Sequence, residues 1–396
     1  MARIGIFGGS FNPPHLGHRM AVCEFQKLLE LDRVLVVPDA VPPHKTLSVL
    51  SPDAETRFRL TQLAMRGLPF VTVSDAELRR GGKSFTVDTL RQIRAQAPDD
   101  ELFLLMGTDM LLSFDRWHEP QEIAELATLA VAHRSDDRAD ELSACADRLR
   151  AELHARVLLL ENAFVPYSST SVRAMLAFGC AHDYLAPEVL EAIRGAGLYG
   201  VGAELRGLPF ERLSQVSLAL HKQKRVPHVV GCSQTAERLA LKYGADPVDA
   251  KRAGILHDVT KALSGTEQLK LCESYGIILN HFEREHPKLL HAKTGATVAR
   301  EIFGENDAVY RAIYWHTTGA ADMCTLDQII YLADYMEPNR DFPGVDELRR
   351  LTERSLDEGM LCGLRMSIDQ LRARGCEIDP NSLAALRQLE ERNHTI

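Results

Sequence analysis

The sequence predicts two folds in succession, an α/β domain built on a parallel sheet with helices on both faces and then an all-α domain. Three observations predict it. Short apolar runs alternate with helical segments from the start of the chain to about residue 199, the pattern of strands joined by helical crossovers. Glycines then cluster in Gly195-Ala-Gly-Leu-Tyr-Gly-Val-Gly202, and beyond Leu208 helical periodicity continues without a strand pattern. The domains expected are 1–202 and 208–396, which suits a chain of 396 residues at roughly 100 to 200 residues per domain.

The predicted strands, in order, span residues 2–7, 33–38, 70–73, 102–106, 129–132 and 157–160. Between the first two, Met20, Cys23, Leu28 and Leu29 have the spacing of an amphipathic helix. In open parallel sheets ligands gather beyond the carboxyl ends of the strands. Segments 8–18, 38–45, 107–117 and 166–173 all follow strands, so they are expected to converge on one crevice. In the second half, helices are expected over 210–223, 226–243, 247–261, 288–303, 306–316, 324–336, 345–375 and 379–392.

Composition narrows the function. Hydrophobic content of 45% and charged content of 26% are ordinary for globular chains. A net charge of −9 argues against nucleic-acid partners, which require a basic face; small anionic ligands are expected instead. The eight cysteines form no Cys-x-x-Cys pair and read as reduced core thiols. No apolar run approaches the roughly 18 residues of a membrane span, so a cytoplasmic protein without a membrane partner is expected. Oligomeric state is not legible.

Residues 8–18 read Gly-Gly-Ser-Phe-Asn-Pro-Pro-His-Leu-Gly-His. A glycine turn at Gly8 and Gly9 is expected to deliver His15 and His18 to the first turn of the helix, where unpaired N–H groups and the helix dipole favour anions. Three residues apart, the imidazoles share a face and can donate to a phosphoryl oxygen that gains charge. Neither a P-loop nor a Gly-x-Gly-x-x-Gly fingerprint fits these glycines. In Pro42-Pro-His-Lys45, Lys45 is a point charge for leaving pyrophosphate. Ser168, Ser169, Thr170 and Arg173, in Ser-Ser-Thr-Ser-Val-Arg at a helix start, offer hydroxyls and a guanidinium to phosphate. Trp117 is a stacking surface for a flat, electron-poor ring. No serine or cysteine is paired with a base, so catalysis by positioning and charge stabilisation is expected.

These segments, with Ser84-Phe-Thr-Val-Asp-Thr-Leu90 and Gly107-Thr-Asp109, resemble bacterial nicotinate-nucleotide adenylyltransferases over residues 1 to about 200. The resemblance implies a Rossmann-like nucleotidyltransferase that joins nicotinate mononucleotide to the AMP part of ATP, with Mg2+ assisting. By position, His15 and His18 would hold the triphosphate, with His18 nearest the α-phosphate. Lys45 and Arg173 would neutralise the β and γ groups, and Gly8, Gly9, Ser10 and Phe11 would line the same site. Thr86 and Trp117 would sit at the pyridine end, and Asp109 near the ribose or the site wall. Tyr167 stands where the family usually has an aliphatic residue.

In the second half, His228, His257, Asp258, His291, His316 and Asp334 form a spaced series of imidazoles and carboxylates able to hold two metal ions. Such ions would clamp attacking and leaving oxygens in phosphoanhydride hydrolysis. His221, His281, His286 and His394 read as packed or solvated. Arg225-Val-Pro-His228, His257-Asp-Val-Thr-Lys261, Leu289-Leu-His291, His316-Thr-Thr318 and Leu332-Ala-Asp334 resemble the YqeK group of HD-domain hydrolases over about 208–396. That resemblance implies an all-α HD domain with two metal ions, iron by analogy, that splits diadenosine tetraphosphate into two ADP. Lys261, Arg225 and Arg340 would be phosphate contacts. The alternatives are an inactive regulatory HD module, an HD hydrolase of another nucleotide such as a guanosine alarmone, and a transferase of different acceptor specificity.

Overall fold

The structure is a computed structural model that describes residues 1–44, 46–133, 139–161 and 167–394, the side chains of 393 and 394 excepted. The chain divides into two compact units, Met1–Gly202 and Ala203–Ile396.

The first unit contains a six-stranded sheet: β1 (Arg3–Gly9), β2 (Arg33–Pro38), β3 (Val71–Val73), β4 (Glu101–Gly107), β5 (Thr128–His133) and β6 (Val157–Glu161). The order is β3-β2-β1-β4-β5-β6, and every pairing is parallel. Alternation along the strands divides the core. Leu102, Leu104 and Met106 join Ile4, Ile6 and Leu129 in one apolar cluster, while Phe103 and Leu105 join Val34, Val36 and Phe25 in another. Both faces are therefore covered, which is why the strands read as unbroken apolar runs. The strand order reverses between β1 and β4, the place beyond whose carboxyl ends ligands collect in open parallel sheets.

Residues 8–18 differ from the expected glycine turn. Gly8 and Gly9 are extended and pair with Val37 and Pro38. The chain turns at Phe11, with φ of 45°, and the ring of Phe11 is buried against the strand. A Cβ at Gly8 would meet nothing within 4 Å, so packing does not demand glycine there; the strand end is open to close approach. At Gly17 a Cβ would be tight, 3.1 Å from both His15 Nδ1 and the backbone nitrogen of Tyr167.

The second unit is helical among the described residues. Helix Val226–Tyr243 packs along Pro247–Leu256 and Thr325–Met336, and Leu290–Glu301 packs along Asp307–Trp315. Expectations fail locally at several helices: the 210–223 helix ends at Ala219, and the short helix His281–Glu285 was not expected. The 247–261 helix stops at Leu256, because the chain turns through His257 and Asp258, with Lys261 N–H donating to Asp258 O at 2.8 Å. The 345–375 helix is two, Val345–Arg354 and Leu356–Ala373, broken at Ser355, whose hydroxyl caps the second. Helix Gly265–Ser274 was not expected; Ser264 and Glu267 form its reciprocal capping box.

The cysteines are all free but not all in the core. Cys145, Cys232 and Cys272 are buried, whereas Cys324 and Cys376 are exposed, since they lie at a helix start and in a loop rather than on packed faces. No helix among the described residues is long and apolar enough to cross a membrane.

Candidate functional site

In the first unit, His15 is the N-cap of helix Leu16–Leu29 and His18 lies in its first turn. His15 N–H donates to His18 Nδ1 at 3.1 Å, and the rings stack with centroids 3.6 Å apart. A ring that accepts at Nδ1 carries its proton on Nε2 when neutral. Burial, and then the neighbouring His18, pushes the pKa of His15 well below the usual histidine value.

The bare helix amides expected here are largely engaged. Leu16 N–H donates to Tyr184 O and His18 N–H to His15 O, both at 2.9 Å. An anion at this helix start would therefore meet mainly side chains and the open end of β1.

The segment after β6 does reach the 8–18 loop. Arg173 Nη1 donates to Asn12 O at 2.6 Å and Nη2 to Thr170 Oγ1 at 3.2 Å. Ser169 Oγ donates to Pro13 O at 3.3 Å. Ser168 caps the helix, accepting from Ser171 N–H at 3.0 Å, so its hydroxyl, expected to be available to a ligand, has a local partner. Lys45 and Pro166 lie outside the described residues.

At the other end, Ala40 N–H donates to Ser84 Oγ at 2.9 Å, which holds the start of helix Thr86–Gln96 beside the end of β2. Phe85 packs on His118 with centroids 4.3 Å apart, so the neighbours of Thr86 and Trp117 meet. Trp117 is half-buried against Phe114, and Asp109 is exposed just beyond β4. Ser10 is buried, with its hydroxyl donating to Asp39 Oδ2 at 2.5 Å. Asp39 lies within segment 38–45, but no role of its own was expected for it.

In the second unit, six predicted residues from three helices and two helix-ending turns converge. Asp258 Oδ2 lies 3.5 Å from His257 Nε2 and 3.7 Å from His228 Nε2, while its Oδ1 lies 3.4 Å from His291 Nε2 and 3.8 Å from His316 Nε2. Asp334 Oδ1 is 3.1 Å from His228 Nε2 and 3.7 Å from His257 Nε2. Two potential metal groups result, His228, His257 and Asp334, and His257, Asp258 and His316.

The outer atoms of the rings are spoken for. His257 Nδ1 faces Gly254 O at 2.8 Å, His316 Nδ1 faces Ile313 O at 2.6 Å, and His291 Nδ1 faces Lys288 O at 2.7 Å. His228 Nδ1 faces Glu337 Oε1 at 3.1 Å. A carbonyl accepts only, so these rings hold their protons on Nδ1 and turn Nε2 lone pairs inward. The buried Nε2 atoms of His257 and His316 have no hydrogen-bond partner, and burial pushes both pKa values down to about 4. Neutral inward lone pairs beside carboxylates fit divalent metal.

Three cations border the cluster. Arg225 pairs with Asp258, Arg340 Nη2 lies 2.7 Å from Asp334 Oδ1, and Lys261 Nζ lies 2.8 Å from His291 Nε2. Glu337, buried behind His228, was missed; the carboxylate three residues after Asp334 was its only signal. A Cβ at Gly231 would collide with it. His221 is buried, and His286 stacks on Phe282. The side chain of His394 lies outside the described residues.

Residues 6–175 match the Cytidylyltransferase-like family and residues 225–339 match the HD domain family. A probable nicotinate-nucleotide adenylyltransferase of Marinobacter nauticus is 38% identical over 49% of this chain and 95% of its own length. Another from Thermus thermophilus is 41% identical over 50% of this chain and 99% of its own. A solved structure from Clostridium acetobutylicum, of a predicted HD superfamily hydrolase involved in NAD metabolism, is 33% identical, covering 47% of this chain and 98% of that one with a TM-score of 0.46. Through its first half, the chain belongs to the nicotinate-nucleotide adenylyltransferase family, and an HD domain follows in the same polypeptide.

Proposed function

We propose that the chain is a bifunctional enzyme. The first unit transfers AMP from ATP to nicotinate mononucleotide, releasing pyrophosphate and forming nicotinate adenine dinucleotide for NAD biosynthesis. The single observation that carries this reading is the stacked His15–His18 pair beside the open end of β1. The acceptor phosphate is already a nucleophile, so the site must align it with the α-phosphorus and stabilise departing pyrophosphate. His18 Nε2–H donates to the α-phosphoryl oxygens. Arg173, with Lys45, balances the β and γ charges of Mg2+-bound ATP. Gly8, Gly9, Ser10 and Phe11 shape the phosphate side, and Ser168, Ser169 and Thr170 hold the wall that carries Arg173. Thr86 and Trp117 receive the pyridine, and Asp109 borders the ribose.

The second unit hydrolyses a dinucleoside polyphosphate, with diadenosine tetraphosphate split symmetrically to ADP as the leading substrate. The inward Nε2 atoms of His257 and His316, buried without hydrogen-bond partners, support it. His228, His257, His291, His316 and Asp334 would hold two divalent ions, iron by analogy with YqeK, with Asp258 among the ligands. Bound ions would supply Lewis acidity and an activated water. Arg225, Lys261 and Arg340 orient the phosphates, and Glu337 sets the tautomer of His228.

Incubation of the purified chain with Mg2+, ATP and nicotinate mononucleotide tests the first activity, and diadenosine tetraphosphate with added Fe2+, Mn2+ or Zn2+ tests the second. Dinucleotide and ADP are the expected products. A chain that adenylates only pantetheine phosphate or nicotinamide mononucleotide would refute the acceptor, and one that cleaves only guanosine alarmones would refute the second substrate.

A further inference from the structure

Arg57 belongs to no recognised motif, yet it is among the most buried side chains of the first unit, 1% exposed. It projects from helix Ala54–Met65 into the space under the ends of β1 and β2. Its Nη1 donates to Ser10 O at 2.6 Å and to Asp39 Oδ1 at 2.8 Å; its Nη2 donates to Asp39 O at 2.8 Å and to Ala40 O at 3.2 Å. Asp39 returns the link, because its other oxygen accepts the Ser10 hydroxyl and its N–H donates to Gly9 O at 2.9 Å. Ala40 extends it through its N–H to Ser84 Oγ. One guanidinium thus ties together the residues that follow β1 and β2.

Two physical points make this more than core packing. A buried ion pair is costly to desolvate, and apolar residues of similar volume often serve stability as well or better. Three of the four acceptors are also loop carbonyls, which Arg57 turns toward itself. Since C=O and N–H point oppositely across a trans peptide, the carbonyl of Ser10 faces the guanidinium and the N–H of Phe11 is directed away from it. Lone pairs that would repel a triphosphate are thereby kept on the buried side.

We propose that Arg57, with Asp39, is a positioning residue for adenylyl transfer, holding the open end of β1 in the geometry that receives the triphosphate of ATP. The proposal rests on the adenylyl-transfer reading above. It is tested with the full chain carrying Arg57→Gln, Arg57→Lys or Asp39→Asn, each checked for folding by urea titration before steady-state kinetics. The Gln and Asn variants are expected to raise KM for ATP about tenfold or more while KM for nicotinate mononucleotide stays within about twofold. Lysine supplies a charge without the planar fork, so Arg57→Lys is expected to recover stability but not KM for ATP. Native KM for ATP in a folded Arg57→Lys chain would overturn the proposal. So would native kinetics in folded Arg57→Gln and Asp39→Asn chains, or failure of all three variants to fold, since either would assign the pair to the core alone. A native chain that makes no dinucleotide would overturn the adenylyl-transfer reading itself.

Discussion

His18 Nδ1 accepts the backbone N–H of His15 at 3.1 Å while the two rings stack at 3.6 Å. This relationship orients the second histidine with the first and directs its remaining N–H by the same contact. Gly17 leaves room for it, because a Cβ there would come within 3.1 Å of His15 Nδ1 and of the backbone of Tyr167.

Replacing His18 with alanine is expected to lower kcat for dinucleotide formation by about a hundredfold to a thousandfold, the usual cost of losing one donor to a developing oxyanion. The urea midpoint should move little, since His18 is only half-buried. Turnover near that of the native chain, measured by pyrophosphate release, would remove His18 from the mechanism.

Trp117→Ala should act on the acceptor. Stacking of a ring on an aromatic side chain contributes about 1 to 3 kcal/mol, so KM for nicotinate mononucleotide is expected to rise about tenfold or more while KM for ATP is nearly unchanged. An equal rise in both constants would place Trp117 in general packing against Phe114.

Acid should weaken the first unit through His15. Burial, then His18, holds its folded pKa well below the ordinary 6.5. Below pH 6.5 the unfolded chain takes up a proton that the folded chain refuses, so stability present above 6.5 is lost on acidification, by up to about 1.4 kcal/mol per pH unit for one group. Urea titrations followed by Trp117 fluorescence in a Trp315→Phe background should show a smaller loss between about pH 7 and 5 for His15→Asn, which retains a good N-cap. Identical pH slopes would refute this.

Asp258→Ala is expected to release bound metal and to lower hydrolysis of diadenosine tetraphosphate by at least about a hundredfold, leaving dinucleotide synthesis by the same chain unchanged. Chelation of the native chain should mimic it and lower the melting temperature of the second unit, because a ligand at a hundred times its Kd stabilises by about 2.7 kcal/mol. Metal content by elemental analysis, read beside both activities, decides the matter; hydrolysis that persists without metal would refute the binuclear reading.

Much of the architecture was legible because it is written in local pattern. Leu102 to Met106 alternate between the two faces of the sheet, and their apolar character is visible without knowing the partners. His257 and Asp258 were recognisable as neighbours, and His228, His291 and His316 by the helical stretches around them. Local reading erred where one interaction outweighed periodicity. The His257–Asp258 turn ended a helix expected to continue to 261, and the Ser355 cap divided another. The glycine turn failed because Gly8 and Gly9 pair with β2, leaving Phe11 to take the left-handed backbone.

By itself the sequence determined the succession of an α/β and an α-helical fold and the motif residues from which both candidate sites are built. Strand and helix periodicities, and the spacing of short motifs, involve residues close in the chain and survive without tertiary context. Only the tertiary structure decided which atoms those residues present: the inward Nε2 of His257, the capping role of Ser168, the support of His228 by Glu337 and the clamp of Arg57 on Ser10. Glu337 lies 109 positions from His228, and Arg57 lies 47 from Ser10. Contacts over such separations are fixed by how elements pack, and a buried polar group takes whichever partner that packing brings within reach.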